Sequence, residues 1–154
     1  MKQTSNITTL PRKALLALME LESYTKTTSV CLFHKHLIKI RASQINGCMY
    51  CLEMHTKEAK AHGETDQRIA ELPNWKTSAL FDTKEKLILA LTEYITCTDQ
   101  NREDTQLFAQ ATAVFGKDYL VEVLMIIVTI NTWNRVVRSY DQIVASLRKA
   151  ELNN

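Results

Sequence analysis

Only three glycines and two prolines punctuate this 154-residue chain. A turn-rich β fold draws heavily on both residues, so their scarcity favours long helices. The apolar spacing agrees. Leu15, Leu18 and Met19 form a helical stripe after Pro11, a residue suited to a first helical turn. Phe33, Leu37 and Ile40 repeat at the same spacing until Asn46-Gly47 breaks the pattern. A third segment puts Cys48, Cys51, Leu52, His55, Ala59 and His62 on one face, with Gly63 as its cap. A short helix from about Thr65 to Leu72 is stopped by Pro73. Asp82 and Glu85 resemble a capping box ahead of the stripe Leu87, Leu91, Tyr94 and Ile95. Leu107, Ala111, Val114 and Phe115 form another helix, ended by Gly116. Tyr119 to Ile130 is apolar nearly all round, which predicts a central or subunit-buried helix. Trp133, Val136, Val137, Tyr140, Val144 and Leu147 make the last stripe. No segment sustains strand alternation. The expectation is an all-α chain of about seven or eight helices, one domain over residues 1–154, without repeat or linker.

Charge narrows the function classes. A net charge of +2 offers neither a nucleic-acid groove nor a polybasic membrane patch. Residues 1–13 lack the apolar core of a secretory leader, and Glu122 interrupts an apolar run too short to span a bilayer comfortably. A cytoplasmic protein is expected, with neither nucleic-acid nor membrane partners. In that reducing compartment a Cys-x-x-Cys reads as a redox or metal site before a structural disulfide.

The chemistry-bearing pattern is Cys48-x-x-Cys51-x-x-x-His55. Spacings of three and four share one helix face, so both sulfurs and the imidazole should converge. The first turn of that helix offers unpaired N–H groups and the positive end of the macrodipole, which favour thiolate. A free cysteine titrates at about 8.5, and lowering by about two units would make it mostly ionised. The pattern thus supplies a nucleophile, a resolving thiol and a base. Three readings fit these residues: a dithiol redox centre, a zinc site of Cys48, Cys51, His55 and His36, or two inert helix cysteines.

The stretch from Ser43 to Ala59, with Gly47-Cys48-Met49-Tyr50-Cys51-Leu52-Glu53-Met54-His55 at its centre, resembles the signature of the carboxymuconolactone decarboxylase superfamily. The specific likeness is to its alkylhydroperoxidase D (AhpD)-like branch. It continues through Gly63-Glu64-Thr65, Leu72-Pro73-Asn74-Trp75 and Phe81 to Asn131-Thr132-Trp133-Asn134-Arg135, covering roughly residues 30 to 140. The resemblance implies an all-helical antioxidant subunit assembling as a homo-oligomer, a hexamer rather than a trimer, and no cofactor. It implies a thiol peroxidase (peroxiredoxin activity) that reduces alkyl hydroperoxides. Cys51 would attack the peroxide and become a sulfenic acid, and Cys48 would condense with it to a disulfide. His55 would belong to the proton relay, and an external dithiol would reset the pair. Helix geometry alone favours Cys48 as the attacking thiol, because it lies nearer the N-terminus. The family's usual glutamate twelve residues before the first cysteine is here His36. Imidazole also shuttles protons, and a protonated His36 would help a thiolate by charge where a neutral one would act as a base. The decarboxylase branch typically lacks the cysteine pair, so lactone decarboxylation is not expected. Outside the peroxidase reading stand a thiol–disulfide oxidoreductase and a non-catalytic zinc-stabilised oligomer.

The remaining polar and sulfur residues carry plainer expectations. Cys31 and Cys97 read as small buried hydrophobes, His34 as solvated or locally paired, and Glu53 as a surface carboxylate. His62 reads as a partner of the helix dipole, and Trp133, Asn134 and Arg135 as packing and polar contacts fixing the last helices. Met19, Met49, Met54 and Met125 read as core or interface filler, and Tyr50 as a pocket wall or a subunit contact.

Overall fold

The computed structural model describes residues 10–97 and 104–152. Seven α-helices are found among them, and no strand: α1 (Arg12–Thr27), α2 (Leu32–Asn46), α3 (Met49–Ala61), α4 (Asp66–Glu71), α5 (Thr83–Thr96), α6 (Thr105–Phe115) and α7 (Lys117–Leu152). A 3-10 turn, Leu72–Asn74, carries Pro73 directly behind α4. The helix ends follow local chemistry. Asp82 accepts from the Glu85 backbone N–H at 2.8 Å, and the Glu85 carboxylate accepts from Asp82 N–H at 2.9 Å. This completes the expected capping box. Thr65 and Asp104 cap α4 and α6 through their side-chain oxygens.

Helix α2 is the centre of the fold, packed against α3, α5 and α7. Its residues Ile38 and Ala42 join Ile88 and Leu91 of α5 and Val123, Ile126, Ile127 and Ile130 of α7 in the largest apolar cluster. On the other side Leu37 and Ile40 meet Ala59, Leu72, Trp75, Phe81 and Leu89. Ile38 and Ile126 are fully buried, and each such side chain contributes about 1.5–3 kcal/mol through burial.

The stripes 119–130 and 133–147 belong to one continuous helix, because no glycine or proline separates them. Val123, Ile126, Ile127 and Ile130 of that helix are buried in the core, as a central helix requires, while Val121, Leu124 and Val128 form an outward apolar line in the single chain. At 36 residues α7 is long and apolar enough, by length and composition, to cross a membrane. About 44% of its apolar window is buried within the protein.

The residues around α4 that carried the family likeness have structural partners. Arg68 bridges Glu64 and Glu85, donates to the Leu80 carbonyl and lies 4.8 Å above the Phe81 ring. Trp75 donates through Nε1 to Glu93, whose carboxylate also binds Arg41. These contacts fasten the α4 region to α5 and α2.

Candidate active site

The two cysteines are placed by the turn between α2 and α3. Gly47 adopts φ 63° and ψ 31°, a left-handed conformation that costs glycine little. Through that turn the Gly47 N–H bonds the Gln44 carbonyl and the Cys48 N–H bonds the Ser43 carbonyl at 3.0 Å. Cys48 therefore sits at the N-cap of α3, and Cys51 lies inside the first turn. Their sulfurs are joined in a disulfide with Cα atoms 5.4 Å apart, inside the usual range for such a bridge.

The turn is clamped from α7. Asn46 Nδ2 donates to Asn131 Oδ1 at 2.8 Å and to Asn134 Oδ1 at 3.0 Å. Asn134, fully buried, donates to Ser43 Oγ, and Asn131 donates to Thr96 Oγ1 and the Ile127 carbonyl. Arg135 donates to Asn131 and Arg138 to the Asn46 carbonyl. The expectation of polar contacts at Asn134 and Arg135 is met, with Asn131, Asn46 and Ser43 completing the network. Trp133 meets the packing expectation, lying beside the disulfide with Tyr50 and Val137.

Both cysteines are buried, at 1% and 2% exposure, yet they line different cavities. Cys51 lines a cavity of about 550 Å³ walled by His36, His55, Glu58, Lys35, Lys39 and Glu22, with Leu32, Tyr50, Met54, Trp133 and Val137 on its apolar side. Cys48 lines a second cavity of about 280 Å³ with Gly47, Met49, Arg138, Asp141 and Gln142. Tyr50 and Val137 border both. Helix geometry alone had favoured Cys48 as the attacking thiol. The cavities put the histidines on the Cys51 side.

His55 is 5% exposed, and its Nδ1 lies 3.1 Å from Glu58 Oε2. Burial, then the nearby Lys39 charge, pushes His55 below the ordinary imidazole range, although the Glu58 hydrogen bond opposes the shift. Burial alone would raise Glu58, but the His55 hydrogen bond and Lys39 outweigh it and hold the carboxyl below its usual value. The pair is thus a carboxylate orienting a neutral imidazole, which leaves Nε2 for proton transfer. His36 is 1% exposed and also lowered by burial, against the attraction of Glu58. Burial thus favours its neutral imidazole form. Its Nε2 lies 3.2 Å from His62 Nδ1, and its Nδ1 is buried without a hydrogen-bond partner among the described residues.

His62 is exposed at the C-cap of α3, at the helix end as expected, and it also pairs with His36. Several expectations are corrected here. His34 is neither solvated nor locally paired: it is buried, with Nδ1 2.7 Å from Tyr119 Oη across 85 residues. Cys31 is exposed and Cys97 half-buried, not core residues. Met19, Met49 and Met54 are exposed in the single chain rather than in its core, Met54 as part of the cavity wall, and the interface alternative stands for them; Glu53 lies at the surface as expected. Among the described residues no three His, Cys, Asp or Glu side chains form a group able to hold a metal ion, so the zinc set of Cys48, Cys51, His55 and His36 is not assembled. Glu58 was open to sequence reasoning, because it follows His55 by one helical turn. The His36–His62 pairing had no local signal.

Comparison with known proteins agrees with this architecture. Residues 32–94, from the start of α2 through most of α5, match the carboxymuconolactone decarboxylase family. The uncharacterized protein YdfG of Bacillus subtilis is 39% identical over 119 residues, covering 77% of this chain and 81% of its own. A crystal structure from Agrobacterium tumefaciens, of a protein of unknown function provisionally described as the antioxidant defence protein AhpD, superposes with a TM-score of 0.84. It is 31% identical and spans 88% of this chain and 93% of its own. The chain belongs to the carboxymuconolactone decarboxylase family and has the all-helical AhpD-like fold.

Proposed function

We propose that the protein is a dithiol peroxidase that reduces organic hydroperoxides. The observation that carries this reading is the asymmetric placement of the pair: Cys51 faces the large histidine-walled cavity, and Cys48 backs onto a separate one. The neighbour's provisional description as an antioxidant defence protein is in keeping with this reading.

In the reduced protein, neutral His55 takes the Cys51 thiol proton through Nε2. The thiolate attacks the terminal peroxide oxygen. A sulfur–oxygen bond forms, the O–O bond breaks, and Cys51 becomes a sulfenic acid. The alkoxide takes its proton back from His55 and leaves as alcohol. Cys48 then attacks the sulfenic sulfur, displacing hydroxide, which leaves as water. The balance is two thiols and one hydroperoxide giving a disulfide, an alcohol and water. An external dithiol then restores both thiols. The apolar wall of Leu32, Met54, Trp133 and Val137 suits an organic substituent on the peroxide. Burial of both sulfurs favours such a small substrate over the disulfide of a folded protein, which weighs against a pure thiol–disulfide exchanger.

The assembly is proposed to be a homo-oligomer built on the outward line Val121, Leu124 and Val128 of α7, a hexamer being favoured over a trimer through the family likeness. Sedimentation of the wild type against Leu124→Glu checks this; an unchanged mass would exclude that line from the contact.

The activity is tested by mixing the reduced protein with cumene hydroperoxide under stopped flow, followed by peptide mapping. Rapid consumption of one peroxide per Cys48–Cys51 disulfide formed supports the reading. Thiols that survive peroxide but oxidise readily with a small disulfide would make the protein an exchanger instead.

A further inference from the structure

The proton balance of the proposed reaction has a spatial problem that the two cavities expose. The first step closes on itself, because the proton taken from Cys51 returns to the alkoxide in the same cavity. The second step does not close. Cys48 loses its thiol proton beside Arg138, Asp141 and Gln142, whereas the hydroxide it displaces leaves from Cys51 on the histidine side. The disulfide, Tyr50 and Val137 stand between the two. Net proton change is zero, yet one proton is released behind the pair and one is required in front of it.

We propose that His62 and His36 form a two-imidazole conduit that brings this proton from solvent into the site cavity. The inference rests on the dithiol peroxidase reading and assigns a role to a histidine outside the Cys48–Cys51–His55 motif. His62 is exposed, just beyond the end of α3, and so exchanges protons with water. Its Nδ1 lies 3.2 Å from His36 Nε2, with the ring planes 21° apart and centroids 5.1 Å apart. His36 is in the cavity wall, 1% exposed, and its remaining nitrogen has no partner among the described residues. A buried polar atom without a partner needs a reason, and a proton handed onward from Nδ1 supplies one. Each ring accepts a proton at one nitrogen and gives one from the other, so neither must hold a lasting charge. The charged and titratable groups facing His36 are Lys39 on its own helix, His55 and Glu58 on α3, and Lys35 and Glu22 on the same cavity wall. Burial holds His36 neutral among them, ready to relay. His62 touches no substrate and acts through His36.

The test compares wild type, His62→Phe and His62→Gln in two readouts. Imidazole nitrogen NMR of the reduced protein measures how fast the His36 N–H exchanges with water, without any peroxide. Stopped flow then separates sulfenic acid formation from disulfide formation. Both variants should slow His36 exchange by roughly tenfold or more and slow disulfide formation, with sulfenic acid formation unchanged and added free imidazole restoring part of the rate. Unchanged exchange in both variants overturns the conduit. Slowing in His62→Phe but not in His62→Gln also overturns it, since glutamine keeps a hydrogen bond but cannot relay. A wild type inert to peroxide defeats the peroxidase reading, while the exchange experiment still decides the conduit.

Discussion

Helix α2 carries buried polar side chains to two places that differ in how completely they are satisfied. At its C-terminal end Ser43 and Asn46 join Asn131 and Asn134 of α7, and each side-chain amide there has a named partner. About two to three turns earlier His36 enters the cavity wall with one nitrogen paired and the other orphaned among the described residues. The first arrangement is what a buried network needs in order to hold backbone in place, here the turn that aims Cys48 and Cys51. The second is poor architecture unless the orphan atom meets water, substrate or a passing proton. The clamp should therefore govern stability, and the cavity wall should govern rate.

The largest expected effect breaks the clamp. Asn134→Ala removes one of the two acceptors of the half-buried Asn46 amide and the donor to Ser43 Oγ, and should cost about 1–3 kcal/mol in urea unfolding. A loss under about 0.5 kcal/mol, the range of an ordinary surface substitution, would show that the turn holds itself. His55→Ala should do the opposite, lowering the rate of peroxide consumption by roughly a hundredfold or more while unfolding shifts far less than for Asn134→Ala. Equal damage to both properties would erase the distinction between clamp and wall.

Acid sharpens the comparison. His34, His36 and His55 all have pKa values lowered by burial, so the unfolded chain binds protons first as pH falls through about 6.5. Their neutral-state stability is present above that pH and is lost below it, toward the folded values. Glu58 and Glu93, held below their usual range, lose theirs only further down, below about 4.5. Thermal unfolding should accordingly show a first decline setting in below about pH 6.5 and a second at lower pH. His34→Phe should shrink the first decline without touching the rate. The smallest effect is expected from His36→Glu, which should keep the activity but alter its pH profile. An identical rate-versus-pH curve would remove His36 from the proton path.

What the sequence disclosed was largely local. Gly47, the Asp82–Glu85 box and the i, i+4 relation of Cys51 to His55 are all encoded within a turn or two of helix, and each is where the spacing put it. What the sequence missed involves partners far along the chain. His34 could be seen as buried only once Tyr119, 85 residues away, was in place, and His62 found its partner 26 residues back. Asn131-Thr132 looked like a gap between two apolar stripes because the groups that satisfy Asn131 lie on α2 and α5. That the Cys51 cavity is walled by α1 and α7 as well as α2 and α3 is likewise a long-range fact that local spacing does not report.

The asymmetry of Cys48 and Cys51 is the central claim, and trapping the oxidised intermediate tests it most directly. Cys48→Ser and Cys51→Ser, each reduced and treated with cumene hydroperoxide in the presence of dimedone, would be digested and mapped by mass spectrometry. The account predicts that Cys48→Ser carries the dimedone adduct on Cys51, while Cys51→Ser consumes no peroxide and stays unlabelled at Cys48. An adduct on Cys48 in the Cys51→Ser protein, formed as fast as the other, would contradict it.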